Sequence, residues 1–398
     1  MKICLVSQEY PPETGGGGIG TQTYLKAQGL AARGHEVHVI SLSGDGIPRM
    51  YADGPVVVHR IVHPELDAPG FELTTSWMAY SGAVARKLQE LDSRVHFEII
   101  QFPEYGGEGF VYQTDTFGNR TARYVVQLHG PLGMFAEQMG WPDVGSTFHQ
   151  IGCFMERSAM HHADKVLASS LNTARFCAEH YDYPLREIDV IHSAVDTLHF
   201  TPRQVEGPGH PNVLFVGNLH GSKGIDVLMD AVISLRRKFP RIRLRCIGKA
   251  DASSMAEHRQ RIAAGVAGEN IEILGYVPHS ELPAYYQACD IFAAPSVFEP
   301  GPGNIYLEAM ACGKPVIACH SGGAPEVVLD GETGILVPPV NAEAIAEAIV
   351  LLEADTAYRQ RLGGNGRKWV ESRFTRDQYI NRVERIYSGL LQVTCAAV

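Results

Sequence analysis

Short apolar runs alternate with longer helical patterns along this sequence, and the alternation occurs twice. The first series contains "KICLVS", "HEVHVISL", "VVVHRIV", "FEIIQF", "YVVQLHG" and "KVLASS". The second contains "NVLFVGNL", "RLRCIG", "IEILGYV", "DIFAAPS", "PVIACHS" and "GILVPP". Such alternation predicts parallel β-α-β units and two doubly wound α/β domains. The polar segment Thr201–Pro211, rich in proline and glycine, is predicted to link them.

The composition restricts the partners that such a protein can have. The 398 residues include 34 Lys and Arg against 44 Asp and Glu, and no basic block stands out, so nucleic acid is not expected as a partner. No apolar run is long enough for a transmembrane helix, and "MKICLVSQEYPP" does not read as a signal peptide. We therefore expect a cytoplasmic protein without an integral membrane segment. The eight cysteines form no CxxC pair and are predicted to be reduced thiols.

A glycine-rich loop, "PPETGGGGIGTQT", follows the first predicted strand. Glycines let the backbone approach a ligand closely, and the next helix offers its N-terminal amides. The spacing of Gly15, Gly17 and Gly20 also matches GxGxxG, which keeps an NAD-dependent oxidoreductase open as an alternative. Against it, these glycines come late after the strand, and the second strand ends in "VISLS" without the acidic residue that would hold a ribose. A flexible loop without a ligand is the other alternative.

Two further loops place a polar side chain after a predicted strand. His129 in "LHGPLGMF" would lie at the edge where open α/β sheets bind ligands, although a lone histidine is as often structural. Lys223 in "VGNLHGSKGID" immediately precedes a predicted helix. Lysine beside a helix N-terminus suits a phosphate group, and an exposed lysine without a ligand is the alternative.

A turn rich in proline and glycine, in "VFEPGPGNIYLEAMACG", separates Glu299 from Glu308. A helix is predicted to begin near Asn304, and its first unpaired amides could bind a phosphate oxygen. Glu308 would lie about one turn into that helix, where a carboxylate can accept hydrogen bonds from the paired hydroxyls of a ribose or hexose. A solvated glutamate on an amphipathic helix is the alternative.

Together, in this order along essentially the whole chain, these loops resemble the retaining family 4 glycosyltransferases of the GT-B fold, the glycogen-synthase-like "glycosyl transferases group 1". The likeness is carried by "PPETGGGGIGTQTYLKAQGL", "DVIHSAVDTLHFTP", "GNLHGSKGIDVLMDAV", "GYVPHSELPAYYQACDIFAAPS" and "LEAMACGKPVIACHSGGAPEVV". It implies two Rossmann-like doubly wound parallel-sheet domains facing a central cleft. The acceptor-binding domain would span residues 1–200 and the nucleotide-sugar-binding domain residues 201–375. The last helix, in 376–398, would cross back onto the first domain.

The resemblance also implies roles for the residues singled out above. Lys223 would hold the diphosphate of a nucleoside-diphosphate-sugar, and UDP-sugars are the commonest donors in the family. Glu308 would bind the ribose hydroxyls, Glu299 the hydroxyls of the transferred hexose, and His129 would face the reacting centre. Further donor contacts are expected from Gly17, Gly18, Asn218, Gly303, Asn304 and Ile305, and acceptor contacts from Gly16, Glu104 and Tyr105. No cofactor and no metal are expected, because cationic side chains and helix dipoles can stabilise the departing diphosphate.

The acceptor is expected to be polar and soluble, such as a sugar or an aminocyclitol. From Met1 to Val195 there are 22 acidic against 14 basic residues, and "PEYGGEGF" adds Glu108 to Glu104. Such a balance favours a polar or cationic acceptor over an anionic lipid. Two other readings on the same scaffold are a nucleotide-sugar-binding pseudoenzyme or partner subunit, and a related enzyme such as an epimerase or phosphorylase.

The sequence departs from the family pattern at two places. Eight residues lie between Glu299 and Glu308, one more than usual, and the register places the extra residue among 300–302. The extra residue therefore shifts Glu299, and not Glu308, relative to the family pattern. Asn218 stands where the family has an arginine, so either a nearby His or Arg side chain substitutes for it or the donor is held differently.

Overall fold

A computed structural model describes residues 1–15, 17–64, 72–203, 211–264 and 270–392. The chain divides into two compact units, Met1–Ser193 with Arg376–Val398, and Ala194–Thr375. Gly16 and most of the predicted linker, residues 204–210, lie outside the described residues. Within the described ranges, no helix combines the length and the apolar character needed to cross a membrane.

The first unit contains one eight-stranded sheet. Its strands are β1 (Lys2–Val6), β2 (Glu36–Leu42), β3 (Arg49–Asp53), β4 (Val56–Ile61), β5 (Ile99–Pro103), β6 (Arg123–Leu128), β7 (Lys165–Ala168) and β8 (Ile188–Val190). Their order in the sheet is β3-β4-β2-β1-β5-β6-β7-β8. Neighbouring strands are parallel except β3 and β4. The central strands are nearly continuous apolar runs, as expected when helices cover both faces.

Six α-helices lie between these strands in the described ranges. They are α1 (Gly18–Ala31), α2 (Glu72–Val95), α3 (Phe110–Asp115), α4 (Leu132–Met139), α5 (Thr147–His161) and α6 (Leu171–His180). Side chains from the sheet and from several of these helices form one buried core, which includes Val84, Phe102, Val126 and Met160.

The second unit contains a six-stranded, fully parallel sheet. Its strands are β9 (Asn212–Val216), β10 (Arg243–Ile247), β11 (Ile271–Gly275), β12 (Ile291–Ala294), β13 (Val316–Cys319) and β14 (Gly334–Val337), in the order β11-β10-β9-β12-β13-β14. The helices are α7 (Ile225–Leu235), α8 (Ala252–Ala264), α9 (Leu282–Ala288), α10 (Asn304–Ala311), α11 (Ala342–Ala354) and α12 (Thr356–Arg373). This strand order is that of nucleotide-binding doubly wound folds.

The last helix, α13 (Arg376–Gln392), belongs to the first unit. It packs against α1, where Gly29 leaves room for Ile380: a Cβ on Gly29 would lie 2.6 Å from Cγ1 of Ile380. The carboxylate of Glu384 pairs with Arg33 and accepts a hydrogen bond from Nε2 of His35 at 2.7 Å. Helix α13 is therefore part of the same unit as β1 and α1.

The predicted parallel α/β architecture is confirmed, and the differences are local. The apolar-run signal missed β3, an edge strand with the mixed sequence "RMYAD", and the three-residue β8. Helix α1 begins at Gly18, inside the glycine run, and the amide of Gly20 in its first turn donates to the carboxylate of Glu9. Helix α7 ends at Leu235, five residues before Pro240.

Candidate active site

Each sheet reverses its strand order at one point, and the loops there carry most of the residues singled out in the sequence. In the first unit the reversal lies between β1 and β5, and in the second between β9 and β12. Open α/β sheets bind ligands at the carboxyl ends of the strands beside such a reversal. The loops after β9 and β12 contain Lys223 and Glu299, and those after β1 and β5 contain the glycine run and Glu104.

Lys223 and Glu299 form an ion pair in the second unit. Nζ of Lys223 donates to Oε2 of Glu299 at 2.8 Å, and the two side chains are 30% and 16% exposed. Lys223 ends a short 3₁₀ turn, and Gly224, with a φ of 74°, leads from it into α7. The left-handed backbone of Gly224 is one that glycine adopts without strain. The side chains of the ion pair are therefore partly accessible to a ligand. The backbone after Lys223 makes a left-handed turn at Gly224.

Close backbone packing holds the two loops together. A Cβ on Gly224 would lie 1.9 Å from the carbonyl oxygen of Pro295, and the amide of Val297 donates to the carbonyl of Ser222 at 2.9 Å. On the other side, the amide of Gly323 donates to the carbonyl of Glu299 at 2.7 Å. The turn with the extra residue is thus clamped from two sides, and it still brings Glu299 to Lys223.

The start of α10 lies beside this pair. Gly303 precedes the helix with a φ of 75°, and a Cβ on it would lie 3.6 Å from Cγ of Glu299 and 2.6 Å from the ring of Tyr306. Gly303, Asn304 and Ile305 are partly exposed. The second unit therefore brings together Lys223, Glu299 and the first amides of α10.

Glu308 is buried, so its alternative interpretation as a solvated glutamate is wrong. It is 4% exposed, Oε1 lies 2.8 Å from Nε2 of His279, and Oε2 accepts from the hydroxyl of Tyr286 at 2.9 Å. Burial by itself would lower the pKa of His279, but the hydrogen bond and the charge of Glu308 outweigh it and raise that pKa. Sequence reasoning missed His279 and Tyr286, although both lie in the segment "GYVPHSELPAYYQACD" that contributed to the family resemblance.

Asn218 is exposed in the loop after β9, and two residues with basic side chains lie near it along the backbone. His220 belongs to the same loop, and its Nδ1 lies 3.0 Å from the hydroxyl of Ser222. Lys249 follows the neighbouring strand β10: its carbonyl accepts from the amide of Leu219 at 2.8 Å, and its Nζ lies 5.0 Å from the ring centroid of Tyr276. Lys249 is exposed and was not singled out in the sequence.

In the first unit, a buried arginine fixes the segment that leads into the glycine run. Arg60 on β4 donates to the carbonyl of Tyr10 at 2.8 Å and to the hydroxyl of Thr14 at 2.9 Å, and its Nε pairs with Glu13 at 3.1 Å. Arg60 is 1% exposed. Because it lies inside the strand run "VVVHRIV", its sequence position gave no hint of this contact.

The N-terminus of α1 is partly occupied by the protein itself. Oε2 of Glu9 accepts from the amide of Gly20 at 3.1 Å, and a Cβ on Gly17 would lie 2.9 Å from the same oxygen. Gly17 is the N-cap and Gly18 the first helical residue. Of the predicted contacts in this run, Gly17 and Gly18 remain available, whereas Gly16 falls outside the described residues.

The loop after β6 is held by Glu104. The amides of His129 and Gly130 donate to Oε1 of Glu104 at 2.5 and 2.6 Å. Glu104 has no exposed surface, so the prediction that it contacts the acceptor directly is corrected to a role in holding His129. Burial raises the pKa of Glu104 to about 7, although these amides partly oppose the shift. Burial and the charge of Lys26 lower the pKa of His129 to about 3, so its imidazole is neutral at pH 7.

Glu108 and Tyr105 lie in the same segment as Glu104. Glu108 is 4% exposed, Oε1 accepts from the amide of Gln8 at 3.1 Å, and Oε2 is buried without a hydrogen-bond partner among the described residues. Burial, followed by repulsion from Glu9 and Glu104, raises the pKa of Glu108 to about 8. The partly exposed ring of Tyr105 packs on Trp77 and Phe135. The first unit therefore concentrates buried acids at the edge where its strand order reverses.

Solved structures identify the class of protein that this fold represents. Sucrose-phosphate synthase from Thermosynechococcus elongatus superposes with a TM-score of 0.85 over 98% of this chain and 99% of its own, at 24% identity. Anabaena HepE, solved with UDP and glucose, gives a TM-score of 0.75 over 98% and 99%, at 20% identity. The fold is that of the GT-B glycosyltransferases.

Sequence comparison gives the family. Residues 16–198 match the family described as Glycosyltransferase Family 4, and residues 210–355 match Glycosyl transferases group 1. The GDP-mannose-dependent alpha-(1-6)-phosphatidylinositol monomannoside mannosyltransferase of Mycolicibacterium smegmatis is 31% identical over 391 residues, which cover 92% of this chain and 93% of that protein. The chain belongs to the family 4, group 1 glycosyltransferases and is a glycosyltransferase; the NAD-dependent alternative is set aside.

Proposed function

We propose that this enzyme transfers a hexose from a nucleoside-diphosphate-sugar to a hydroxyl of a polar, soluble acceptor, with retained anomeric configuration and without a metal. The observation that carries the proposal is the Lys223–Glu299 pair beside the first amides of α10, at the strand-order reversal of the second unit. A cation and unpaired helix amides are the groups that bind a diphosphate, and a carboxylate is the group that binds sugar hydroxyls.

The ion pair supports a division of labour on the donor. Nζ of Lys223 and Oε2 of Glu299 lie 2.8 Å apart, so each side chain neutralises the charge of the other. A diphosphate would compete for the ammonium of Lys223, and Glu299 would then accept hydrogen bonds from the transferred sugar. Glu308 would bind the ribose hydroxyls, since each of its oxygens has one protein partner and a carboxylate oxygen can accept more than one hydrogen bond. Gly303, Asn304 and Ile305 would supply amides to the phosphates.

The reaction follows from these roles. The bond between the anomeric carbon and the phosphate oxygen breaks, and its electron pair leaves with the diphosphate that Lys223 and the helix start stabilise. The acceptor hydroxyl bonds to the anomeric carbon on the side of the leaving group, and its proton passes to the departing phosphate oxygen. His129 is neutral and serves as a hydrogen-bonding group for a sugar hydroxyl, with Gly17 and Gly18 as backbone contacts.

We propose that the donor is a UDP-sugar, with a GDP-sugar as the second candidate. The HepE structure contains UDP and glucose, which supports UDP, whereas the name of the M. smegmatis relative specifies GDP-mannose. In place of the arginine missing at Asn218, Lys249 and His220 are the basic groups proposed to approach the phosphates. Lys249 is the stronger candidate, because lysine is a common phosphate-binding residue that acts as a point charge.

The acceptor side is proposed to lie at the buried acids of the first unit. Tyr105 has partly exposed surface that an acceptor could contact directly, whereas Glu104 and Glu108 are buried and would act through the segments that they hold. A sugar or an aminocyclitol fits this chemistry. An anionic lipid fits less well, because residues 1–195 contain 22 acidic against 14 basic residues.

The test is a transfer assay with UDP- and GDP-hexoses against three acceptors: a neutral sugar, an aminocyclitol, and vesicles containing an anionic inositol lipid. We expect release of nucleoside diphosphate with one donor, and a product from the sugar or the aminocyclitol whose anomeric configuration, read by NMR, equals that of the donor. Inversion would contradict the mechanism. Transfer to the anionic lipid alone would contradict the proposed acceptor while leaving the donor site intact.

A further inference from the structure

A cluster of two histidines and one cysteine lies in the first unit, outside the loops described above. His149 and Cys153 are four residues apart on α5, and His180 is the last residue of α6. One ligand atom from each side chain lies within 4.8 Å of those of the other two. Ligand bonds of about 2.0–2.3 Å place tetrahedral neighbours roughly 3.3–3.8 Å apart, so side-chain shifts of about 1 Å would close the cluster on a metal ion.

One nitrogen of the cluster is buried without a partner. Nε2 of His149 has no hydrogen bond within the described part of the chain. Its Nδ1 accepts a long hydrogen bond, 3.2 Å, from the exposed amide of Gly145. If a metal bound Nε2, the ring proton would move to Nδ1, and the exposed amide could turn to water instead. A metal would thus satisfy an atom that the protein leaves unsatisfied.

The other histidine has the surroundings that metal-binding histidines commonly have. Nδ1 of His180 lies 3.2 Å from Oε1 of Glu137, and such a carboxylate orients an imidazole whose other nitrogen binds a metal. Nε2 of His180 lies against Gly133, where a Cβ would come within 2.6 Å of it. Glycine at this position lets the ring of His180 lie directly against the backbone of α4.

We propose that His149, Cys153 and His180 bind a divalent transition metal such as Zn²⁺, with Glu137 orienting His180 and a water molecule as the fourth ligand. Two imidazoles and a thiolate suit Zn²⁺ and Co²⁺ and do not suit Mg²⁺ or Ca²⁺. The thiol must lose its proton to bind, which a coordinated cation brings about.

The site is separate from the proposed transfer reaction. Its side chains come from α5 and α6, with Glu137 on α4, and α4 begins three residues after His129. A bound metal would join these helices and so support the His129 loop without contacting a substrate. The proposal does not rest on the identity of donor or acceptor.

The experiment is a Co²⁺ titration of the full chain after treatment with a chelator and dialysis. We expect one equivalent of Co²⁺ to give a thiolate-to-cobalt charge-transfer band with tetrahedral d–d bands, and Zn²⁺ to remove both. Cys153→Ser should abolish the charge-transfer band. His149→Gln should raise the Kd for Co²⁺ by more than about tenfold. Glu137→Gln alters a residue that orients a ligand without binding the metal itself, and it should raise this Kd by about tenfold. His162→Gln, at the end of α5 outside the cluster, is the matched control.

Absence of the band in the wild-type chain would overturn the proposal, as would a band that survives Cys153→Ser. Equal weakening by His162→Gln would also contradict it, because binding would then be spread over surface histidines. If Cys153→Ser fails to fold by near-ultraviolet circular dichroism, His149→Gln and His180→Gln decide the outcome. Unchanged Kd values in both would reject the site.

Discussion

The carboxyl groups beside the two strand-order reversals differ in whether they have a charged partner. At the reversal of the second unit, the carboxylate of Glu299 has Lys223 as a cationic partner, and Glu308 has His279 and Tyr286. At the reversal of the first unit, Glu104 and Glu108 are buried with no cationic partner in the part of the chain that the structure describes, and burial raises their pKa values to about 7 and about 8. One edge is charged and compensated, whereas the other holds carboxyl groups close to protonation.

The difference indicates what each edge can bind. When a diphosphate arrives, the ammonium of Lys223 can pair with it, and the released carboxylate of Glu299 can then accept hydrogen bonds from sugar hydroxyls. The buried carboxyl groups of the first unit supply no cation for a diphosphate, and the partly exposed Tyr105 beside them is available to a neutral acceptor. We therefore propose that the second unit binds the donor and the first unit the acceptor.

The largest effect is expected from Lys223→Ala. A charge-assisted hydrogen bond to phosphate contributes about 1.5–3 kcal/mol, which corresponds to a loss of roughly 10–100-fold in kcat/KM. Removing the lysine also leaves Glu299 unpaired beside the donor, so we expect the upper end of that range. Steady-state kinetics provides the measurement. Lys238→Ala, an exposed lysine beyond the end of α7, is the control and should retain wild-type activity.

A smaller effect, confined mainly to KM for the donor, is expected from Glu308→Gln. The amide keeps a similar shape but loses the charge that a ribose hydroxyl pair would meet, so KM should rise about tenfold. Activity equal to wild type at subsaturating donor would show that Glu308 is only a structural partner of His279 and Tyr286.

Glu108→Gln should change stability and not donor binding. A carboxyl group with a raised pKa makes the folded protein bind more protons than the unfolded chain, so stability falls as pH rises from about 4.5 to about 8. The variant removes this loss. Near pH 8 it should unfold at a temperature higher by several degrees, for a gain of roughly 1–3 kcal/mol, and near pH 4 it should match wild type. Equal melting curves at both pH values would contradict burial as the cause, and exposed Glu179→Gln is the control.

The smallest effect is expected from His279→Gln. The net raised pKa of His279 means that its contribution to stability is present below about pH 6.5 and disappears as pH rises through the folded-state value. Because the side chain is 47% exposed, solvent screening keeps the contribution small. The variant should be slightly less stable than wild type at acidic pH only, as measured by thermal unfolding. A difference that grows above neutral pH would have the wrong sign.

The sequence predicted the sheets and the loops better than the contacts between loops. Apolar runs fixed the strands because both faces of these sheets are buried, and the ends of those runs located Lys223, Glu299 and His129. The ion pair between Lys223 and Glu299 depends on glycine-mediated packing of three loops, which spacing along the chain does not encode. Glu104 illustrates the opposite case: its sequence position suggested an exposed acceptor contact, but the fold uses its carboxylate to hold two backbone amides.

Arg60 and Glu9 were missed for a similar reason. Arg60 lies within an apolar strand run, and Glu9 precedes the glycine run by several residues. Both become recognisable when β1, β4 and α1 are placed side by side, because their partners are backbone groups of the loop between β1 and α1. Sequence patterns report burial and turns, whereas these contacts depend on register between distant segments.

The most direct test of whether the second unit binds a diphosphate is a comparison of four ligands. UDP, GDP, uridine and guanosine are titrated into the wild-type protein and into Lys223→Ala. Isothermal titration calorimetry should show that the substitution raises the Kd of the preferred diphosphate by about 10–100-fold and leaves that of the corresponding nucleoside unchanged. An unchanged Kd for the diphosphate, or the same loss for diphosphate and nucleoside, would contradict the assignment of Lys223.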